Sequence, residues 1–440
     1  MRRIGVAAAC AVLALLASAC GAVETGSSGT AAAPSADEKV SLSVWSKFSG
    51  RELGVLQKAL DGFHAKHPNI TVNNQGSQDD DKVAQAIRGG NPPDVAISFS
   101  TDNIGQFCSS GAWQDLKSYI ARDKVDLNLL PAATRTYTEF KGTRCAMPLL
   151  ADVYGLYYNK AMFAKAGLDG PPKTMSELFE YAKKLTVLNP DGSIKVAGFV
   201  PTVGFYANHV QMWAANWGAQ WTGQDGKSAL GADPQWQAML EWAKKFTDFY
   251  GKDKLAKFTA GLGQEYSPDH AFEKGRIAMM MDGEFRTAFI AAEAPELEYA
   301  TAPFPVADNR PELYGGGYTT GTIIGIPKGA KNAGAGWELV KYLTTDPAPL
   351  QELAHGLKNV PSTIPALKDP ELQGDAHFKT FLDIFANPNL ATNPASANGG
   401  AYLKTTEDFA IAYQGGGVPD LKAGLTKTAT QIDADAQLGS

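Results

Sequence analysis

The sequence lacks an excess of positive charge and any clustering of histidine. Its formal net charge is −6, and it contains no basic run and no face rich in Lys or Arg, so we expect no nucleic-acid partner. The six histidines are scattered along the chain. His64 and His67 are three residues apart, but no third ligand accompanies them, so no metal site is predicted.

Signatures of catalysis and of phosphate binding are also missing. Gly315, Gly316 and Gly317 are not followed by the Gly-Lys-Ser/Thr of a phosphate-binding loop. The chain has no Gly-x-Ser-x-Gly nucleophile motif. We therefore predict no catalytic residue and no cofactor.

No apolar run is long enough for a stable membrane span. The apolar stretch 4–17 follows Arg2 and Arg3 and leads into small residues and Cys20. That order predicts a secretory signal peptide over residues 1–19. Residues 16–21 (LASACG) resemble a lipobox, which predicts a lipid on Cys20 and anchoring to the outer face of the cell membrane; the alternative is a plain signal peptide cut nearby.

Cysteine and large apolar residues are scarce just after the signal. Residues 20–38 are rich in Gly, Ala, Ser and Thr, a composition that predicts a flexible tether.

Apart from Cys10 and Cys20, the chain has only Cys108 and Cys145. Export brings an oxidising environment, so we expect these two to form a disulfide. The alternative is a pair of buried free thiols.

The rest of the chain carries the patterns of an α/β protein. Val40, Leu42 and Val44 alternate as in a strand, residues 52–66 have helical periodicity, and residues 70–72 form a second strand. This β-α-β order predicts a parallel sheet. Since 440 residues exceed what one hydrophobic core usually supports, we expect two domains.

Several segments resemble, in order, those of the family-1 extracellular solute-binding proteins, the group that includes maltose-binding protein. Met175 and Phe285 stand where the family usually has Trp. The matching segments are 91–95 (NPPDV), 156–168 (LYYNKAMFAKAGL), 171–174 (PPKT), 272–279 (FEKGRIAM), 283–285 (GEF) and 315–317 (GGG).

The resemblance implies a two-lobe, periplasmic-binding-protein-like α/β fold with an interleaved chain. The N-terminal lobe would comprise residues 39–150 and 310–345, and the C-terminal lobe residues 151–309 and 346–440. Hinge crossovers are expected near residues 148–152, 301–312 and 343–348. The implied protein is a monomeric, non-enzymatic receptor that delivers a mono- or oligosaccharide to the permease subunits of an ABC importer.

A sugar site needs aromatic faces for stacking and carboxylates for hydrogen bonds. Under the resemblance, the candidates follow strands that end at the cleft. Trp45 and the two tryptophans on one helix face could equally be core residues, and Asp102 could be a helix cap. The predicted ligand-binding residues are Trp45, Ser46, Lys47, Asp102, Asp152, Trp213, Trp217, Glu284, Phe285, Gly317 and Tyr318.

Three other functions fit parts of this pattern. A glycerol-phosphate or phosphorylated-sugar ligand would need cations such as Lys47, Arg51 or Arg286. An exported glycoside hydrolase would use two carboxylates, with Asp152 and Glu284 in those roles. A sensor or docking protein would keep the binding lobes without transport. The order of the segments favours the transport receptor.

Overall fold

The protein is described by a computed structural model over residues 31–438. The predicted signal peptide, the predicted lipid site at Cys20 and the first part of the predicted tether lie outside the described residues. The last part of that tether, residues 31–38, lies against the body of the protein. Arg122 Nη1 donates to Ala31 O (2.8 Å), and Asn69 Nδ2 donates to Ser35 O (3.1 Å) and Glu38 O (3.0 Å).

Strands and helices alternate along the described chain. The strands are β1 (Val40–Ser46), β2 (Ile70–Gln75), β3 (Val95–Ser98), β4 (Met147–Asn159), β5 (Val187–Leu188), β6 (Ile194–Val196), β7 (Met279–Gly283), β8 (Tyr299–Ala302), β9 (Gly317–Gly325), β10 (Val360–Pro361) and β11 (Leu390–Ala391).

The helices in the first half are α1 (Gly50–Lys66), α2 (Asp80–Arg88), α3 (Ile104–Ser109), α4 (Lys117–Asp123), α5 (Ala132–Thr136), α6 (Lys160–Lys165), α7 (Met175–Leu185) and α8 (Val210–Trp217). Those in the second half are α9 (Pro234–Tyr250), α10 (Lys252–Ala260), α11 (Arg286–Glu293), α12 (Ala333–Thr345), α13 (Pro347–Leu357), α14 (Pro370–Gly374), α15 (Ala376–Phe385), α16 (Ala401–Gln414) and α17 (Leu421–Leu438). None of the helices in residues 31–438 is long and apolar enough to cross a bilayer.

The main sheet has the strand order β10-β4-β9-β3-β1-β2. β1 is parallel to β2 and β3, which confirms the predicted parallel β-α-β unit, whereas β9 runs antiparallel to β3 and β4. β4 is 13 residues long. Its first half pairs with β9, and its second half lies between β7 and β8.

The apolar residues form two large cores. In the first core, the alternating residues of β1 pack against α1, whose Leu56, Leu60 and Phe63 are buried, and against Trp337 of α12. The second core surrounds the far half of β4 and includes Trp213 and Trp236. β4 and β9 therefore run between two separately packed regions, which we call the N-terminal and C-terminal lobes.

One helix differs from the predicted division of the chain. The sequence placed residues 346–440 in the C-terminal lobe, but α13 packs mainly on α1. Leu353 and Leu357 of α13 lie in the same core as β1. The helix buries its apolar face on α1, a contact between segments almost 300 residues apart that local sequence patterns do not reveal.

A disulfide joins Cys108 at the end of α3 to Cys145 just before β4. Cys145 is fully buried and Cys108 nearly so. The bond ties α3, which follows the loop that carries Asp102, to the strand that carries Asp152.

Candidate ligand-binding site

Two carboxyl groups meet where β4 passes from one lobe to the other. Tyr154 of β4 pairs with Gly283 of β7, so Asp152 and Glu284 lie side by side just beyond that pair. Asn359 Nδ2 donates to Asp152 Oδ1 (2.6 Å) and to Glu284 Oε1 (2.9 Å). The backbone N–H of Val153 donates to Glu284 Oε2 (2.7 Å). One amide therefore holds both carboxyls in place.

These two carboxyls resist ionisation together. Burial raises the pKa of Asp152 to about 6, although the hydrogen bond from Asn359 acts in the opposite direction. Burial, and then the charge of Asp152, raise the pKa of Glu284 well above its usual value. Two neighbouring carboxylates in a poorly hydrated site repel each other. The pair therefore favours fewer than two negative charges unless a ligand donates hydrogen bonds to it.

A second polar group forms around Asp102. This residue lies in a short helical turn directly after β3. Asn393 Nδ2 donates to Asp102 Oδ1 (3.2 Å) and to the Tyr318 hydroxyl oxygen (2.8 Å). Burial raises the pKa of Asp102, partly offset by that bond. Ser100 occupies the N-cap position of the turn, and Asp102 lies within it, so the carboxylate does not serve as its cap.

Aromatic rings connect and border these polar groups. The rings of Tyr154 and Tyr318 are 5.8 Å apart. Tyr154 lies on β4 with Asp152, and Tyr318 shares the amide of Asn393 with Asp102. Phe285, half-buried at the start of α11, lies 6.1 Å from the ring of Tyr266, which is 62% exposed. Rings beside hydrogen-bonding groups can accept the apolar faces of a polar ligand.

Arg286 is not available to a ligand, although it adjoins Phe285 in sequence. Its side chain is fully buried. Nε donates to Asp282 Oδ2 (2.7 Å), Nη2 donates to the Glu265 carbonyl oxygen (2.7 Å), and Nη1 lies 3.4 Å from Glu273 Oε1. The guanidinium charge is thus balanced inside the C-terminal lobe and does not pair with Glu284.

A cavity of about 280 Å³ opens on the Asp102 group. Tyr318 and Asn393 line it, together with Thr136 from α5 and Gln211 and Trp221 from the C-terminal lobe. Space for a ligand therefore adjoins the polar group, with walls from both lobes.

Two of the predicted tryptophans, Trp213 and Trp217, do not lie beside the carboxyl groups and tyrosine rings described above. Trp213 is fully buried and Trp217 is 7% exposed, and both rings pack edge-on against Trp242, at 5.6 and 6.0 Å. Their spacing correctly places them on one helix face, but that face meets the core of the C-terminal lobe. They remain ligand-binding residues only as a sequence prediction.

The predicted residues after β1 and in β9 have mixed positions. Trp45 is half-buried beside the core that contains the disulfide, and Lys47 is exposed. Ser46 is buried, and its carbonyl oxygen accepts from the Gln78 N–H (2.8 Å). Gly317 begins β9 next to Tyr318; a Cβ there would contact the Tyr154 carbonyl oxygen at 3.4 Å.

Sequence reasoning missed several residues of the candidate site, namely Tyr154, Asn359 and Asn393. Tyr154 is two residues beyond Asp152 on the same strand, so the alternation of β4 could have placed both on one face. Asn359 and Asn393 follow no strong motif, and their contacts span 75 residues or more. Only the tertiary structure brings these amides to the carboxyls.

Comparison with known proteins identifies the family. Residues 49–348 match the family model described as bacterial extracellular solute-binding protein. The maltotriose-binding protein of Pyrococcus abyssi (strain GE5 / Orsay) is 25% identical over 338 residues, which are 76% of this chain and 68% of that protein. The sn-glycerol-3-phosphate-binding periplasmic protein UgpB of Rhizobium meliloti (strain 1021) is 32% identical over 105 residues, 23% of this chain and 24% of that protein.

A solved structure agrees over nearly the whole described chain. CpMnBP1 with mannotriose bound superposes with a TM-score of 0.76 and 26% identity, covering 89% of this chain and 99% of that one. The family resemblance and the fold class predicted from the sequence are thereby confirmed. This chain belongs to the bacterial extracellular solute-binding proteins and has their two-lobe α/β fold.

Proposed function

We propose that this chain is the receptor of an ABC-type importer and that it binds a neutral oligosaccharide between its lobes. The observation that carries the proposal is the site itself. Asp102, Asp152 and Glu284 are held by the amides of Asn393 and Asn359 beside the rings of Tyr154 and Tyr318. One similar protein is named for binding maltotriose and another is described with mannotriose bound, which supports a saccharide.

The chemistry of the site suits sugar hydroxyls. A carboxylate accepts hydrogen bonds from hydroxyls more strongly than a neutral oxygen does. Hydroxyl donors would also stabilise negative charge on the Asp152–Glu284 pair, which has no cation bonded to it among residues 31–438. Ionisation of the two carboxyl groups therefore costs less free energy when the ligand is bound than when it is absent.

A phosphorylated ligand is the main alternative, because the UgpB proteins resemble a quarter of the chain. Such a ligand would need a free cation near the site. Arg286 is already paired with Asp282, and Arg51 donates to the Gly356 carbonyl oxygen. Two of the three candidate cations are therefore already bonded, and the third, Lys47, is exposed. The bonding of Arg286 and Arg51 favours a neutral ligand.

The proposal includes how the receptor acts in the cell. Membership of an extracellular family and the signal-like N-terminus support export. We propose that Cys20 carries the lipid anchor, that the chain acts as a monomer, and that it hands its ligand unchanged to membrane permease subunits. The hydrolase alternative is less favoured because the relatives are binding proteins by name.

Calorimetric titration of the purified chain with mannotriose, maltotriose and glycerol 3-phosphate tests this function. We expect one of the two saccharides to bind and Asp152→Ala to weaken it by about 1–3 kcal/mol, because a ligand hydroxyl loses its charged acceptor. Asp253→Ala, an exposed substitution on α10, is the control and should leave affinity unchanged. Binding of glycerol 3-phosphate alone would contradict the proposal, and breakdown of a bound saccharide would indicate a hydrolase.

A further inference from the structure

A second cavity continues from the first along the boundary between the lobes. It also measures about 280 Å³. Both cavities share Trp221, Thr222 and Pro394 in their walls. The first opens on Tyr318 and Asn393, and the second extends from Trp221 towards α17. We call this second space the Trp221 pocket.

The Trp221 pocket is rich in aromatic surface. Trp221 is half-buried, and its ring lies 4.6 Å from Trp236 and 5.0 Å from Tyr402, edge-on in both pairs. Tyr402 and Phe140, the latter from the N-terminal lobe, also line the pocket. Contacts with two neighbouring rings hold Trp221 in one orientation, which makes it a rigid surface for stacking.

Hydrogen-bonding groups lie around these rings. Asp433 and Asp435 of α17, with Ser396 and Asn398, also line the pocket. Asp433 Oδ1 accepts from the Ser228 N–H (2.7 Å), whereas Asp435 is half-buried and its carboxyl group forms no hydrogen bond or salt bridge among residues 31–438. Ser396 Oγ donates to Asn398 Oδ1 (2.6 Å), and within residues 31–438 the Asn398 amide hydrogens have no acceptor.

The composition of the pocket matches one class of ligand. A rigid aromatic ring, an unpaired carboxylate and an amide donor together fit a pyranose ring, which has apolar faces and hydroxyl edges. Among the described residues, Lys141 is the only cation in its lining, against two carboxylates, so an anionic ligand is disfavoured. The walls from α16 and α17 lie beyond residues 49–348, where the family model matches.

We propose that the Trp221 pocket is an additional saccharide subsite, so that this chain selects ligands long enough to reach from the Tyr318–Asn393 group to Trp221. This inference rests on the proposed function and adds chain length as the selected property. Sugar units beyond the central group would stack on Trp221 and donate to Asp435. A mono- or disaccharide would occupy the central group alone.

Titration with one saccharide series from one to five units tests the subsite, using whichever series the wild-type chain binds. We expect affinity to rise from the disaccharide to longer members. Trp221→Ala should weaken the longer members about tenfold or more, equivalent to about 1.4 kcal/mol, and change the disaccharide less than about twofold. Phe249→Ala removes a 40%-exposed ring elsewhere in the C-terminal lobe and should not change the length profile.

The outcomes separate this inference from the proposed function. If Trp221→Ala lowered the affinity equally for every ligand length, or for none, the subsite would be overturned while saccharide binding stood. Failure of the wild-type chain to bind any saccharide would overturn both. Because Trp221 packs on Trp236, Asp435→Asn provides a variant that removes no packing, and it too should weaken only the longer ligands.

Discussion

The Asp152–Glu284 pair makes the stability of the ligand-free protein depend on pH. A carboxyl whose pKa is raised on folding costs stability wherever the unfolded chain has already lost the proton. For Asp152 the pKa rises from 3.8 to about 6. The cost therefore grows as pH rises from about 4 to 6 and is constant above that range.

Asp152→Asn should remove this cost while keeping an acceptor for Asn359. We expect the variant to gain about 1–3 kcal/mol in free energy of unfolding at pH 7.5, and the gain to disappear near pH 4. Urea denaturation at several pH values measures it. The same variant should bind ligand more weakly, so greater stability with lower affinity would mark a functional carboxylate. An equal stability change at pH 4 and pH 7.5 would refute the electrostatic explanation.

The structure shows where two of the predicted site residues lie, while their role in binding stays a prediction. Asp102 follows a strand whose end is visible in the apolar pattern, whereas Asp152 lies inside β4 and was singled out by the family resemblance. The pair Trp213 and Trp217 shows the limit of that approach. Helical spacing establishes that they share a face, but whether the face meets a core or a cleft depends on Trp242, about 25 residues further on.

At the scale of elements, β4 and β9 carry the connection between the lobes, and their contact is close. Gly321 of β9 pairs with Ala151 of β4. A Cβ at Gly321 would lie 2.3 Å from the Leu150 carbonyl oxygen and 3.1 Å from the Tyr137 hydroxyl. The two strands can pair at this distance only because no side chain separates them.

Gly321→Ala should therefore force the two strands apart at the point where they pass between the lobes. We expect a loss of about 1–3 kcal/mol in free energy of unfolding and a weaker affinity, because Asp152 is the next residue of β4. Gly54→Ala is the matched control. Gly54 lies within α1 with nothing near its Cβ position, so alanine should stabilise by about 0.5–1 kcal/mol. Thermal or urea unfolding of both variants checks the contrast.

The elements themselves were predictable where the pattern was local. β1, α1 and β2 have clear periodicities, and each appears within a few residues of its predicted limits. The helices from α13 to α17 are a different case. The positions of those helices are set by partners far away in sequence, such as α1 for α13 and α9 for α16.

At the scale of the whole molecule, the candidate binding groups are distributed over both lobes and the strands between them. Asp102 belongs to the N-terminal lobe, Glu284 and Tyr266 to the C-terminal lobe, and Asp152 and Tyr318 to the connecting strands. A ligand that bonds to all of them interacts best when the lobes are close together. Binding can therefore shift the population towards a closed arrangement, by as much as its affinity for the two arrangements differs.

Small-angle X-ray scattering with and without saturating saccharide tests this coupling. We expect the radius of gyration to decrease on binding, because ligand contacts draw the two lobes together around β4 and β9. Thermal stability should rise in parallel, by about 2.7 kcal/mol when ligand is at 100 times its Kd. Asp102→Asn weakens the N-terminal lobe's share of the contacts and should reduce the change in radius more than Asp253→Asn does. Tight binding with an unchanged radius would mean that one lobe alone holds the ligand, and the contribution of Asp102 would then have to be abandoned.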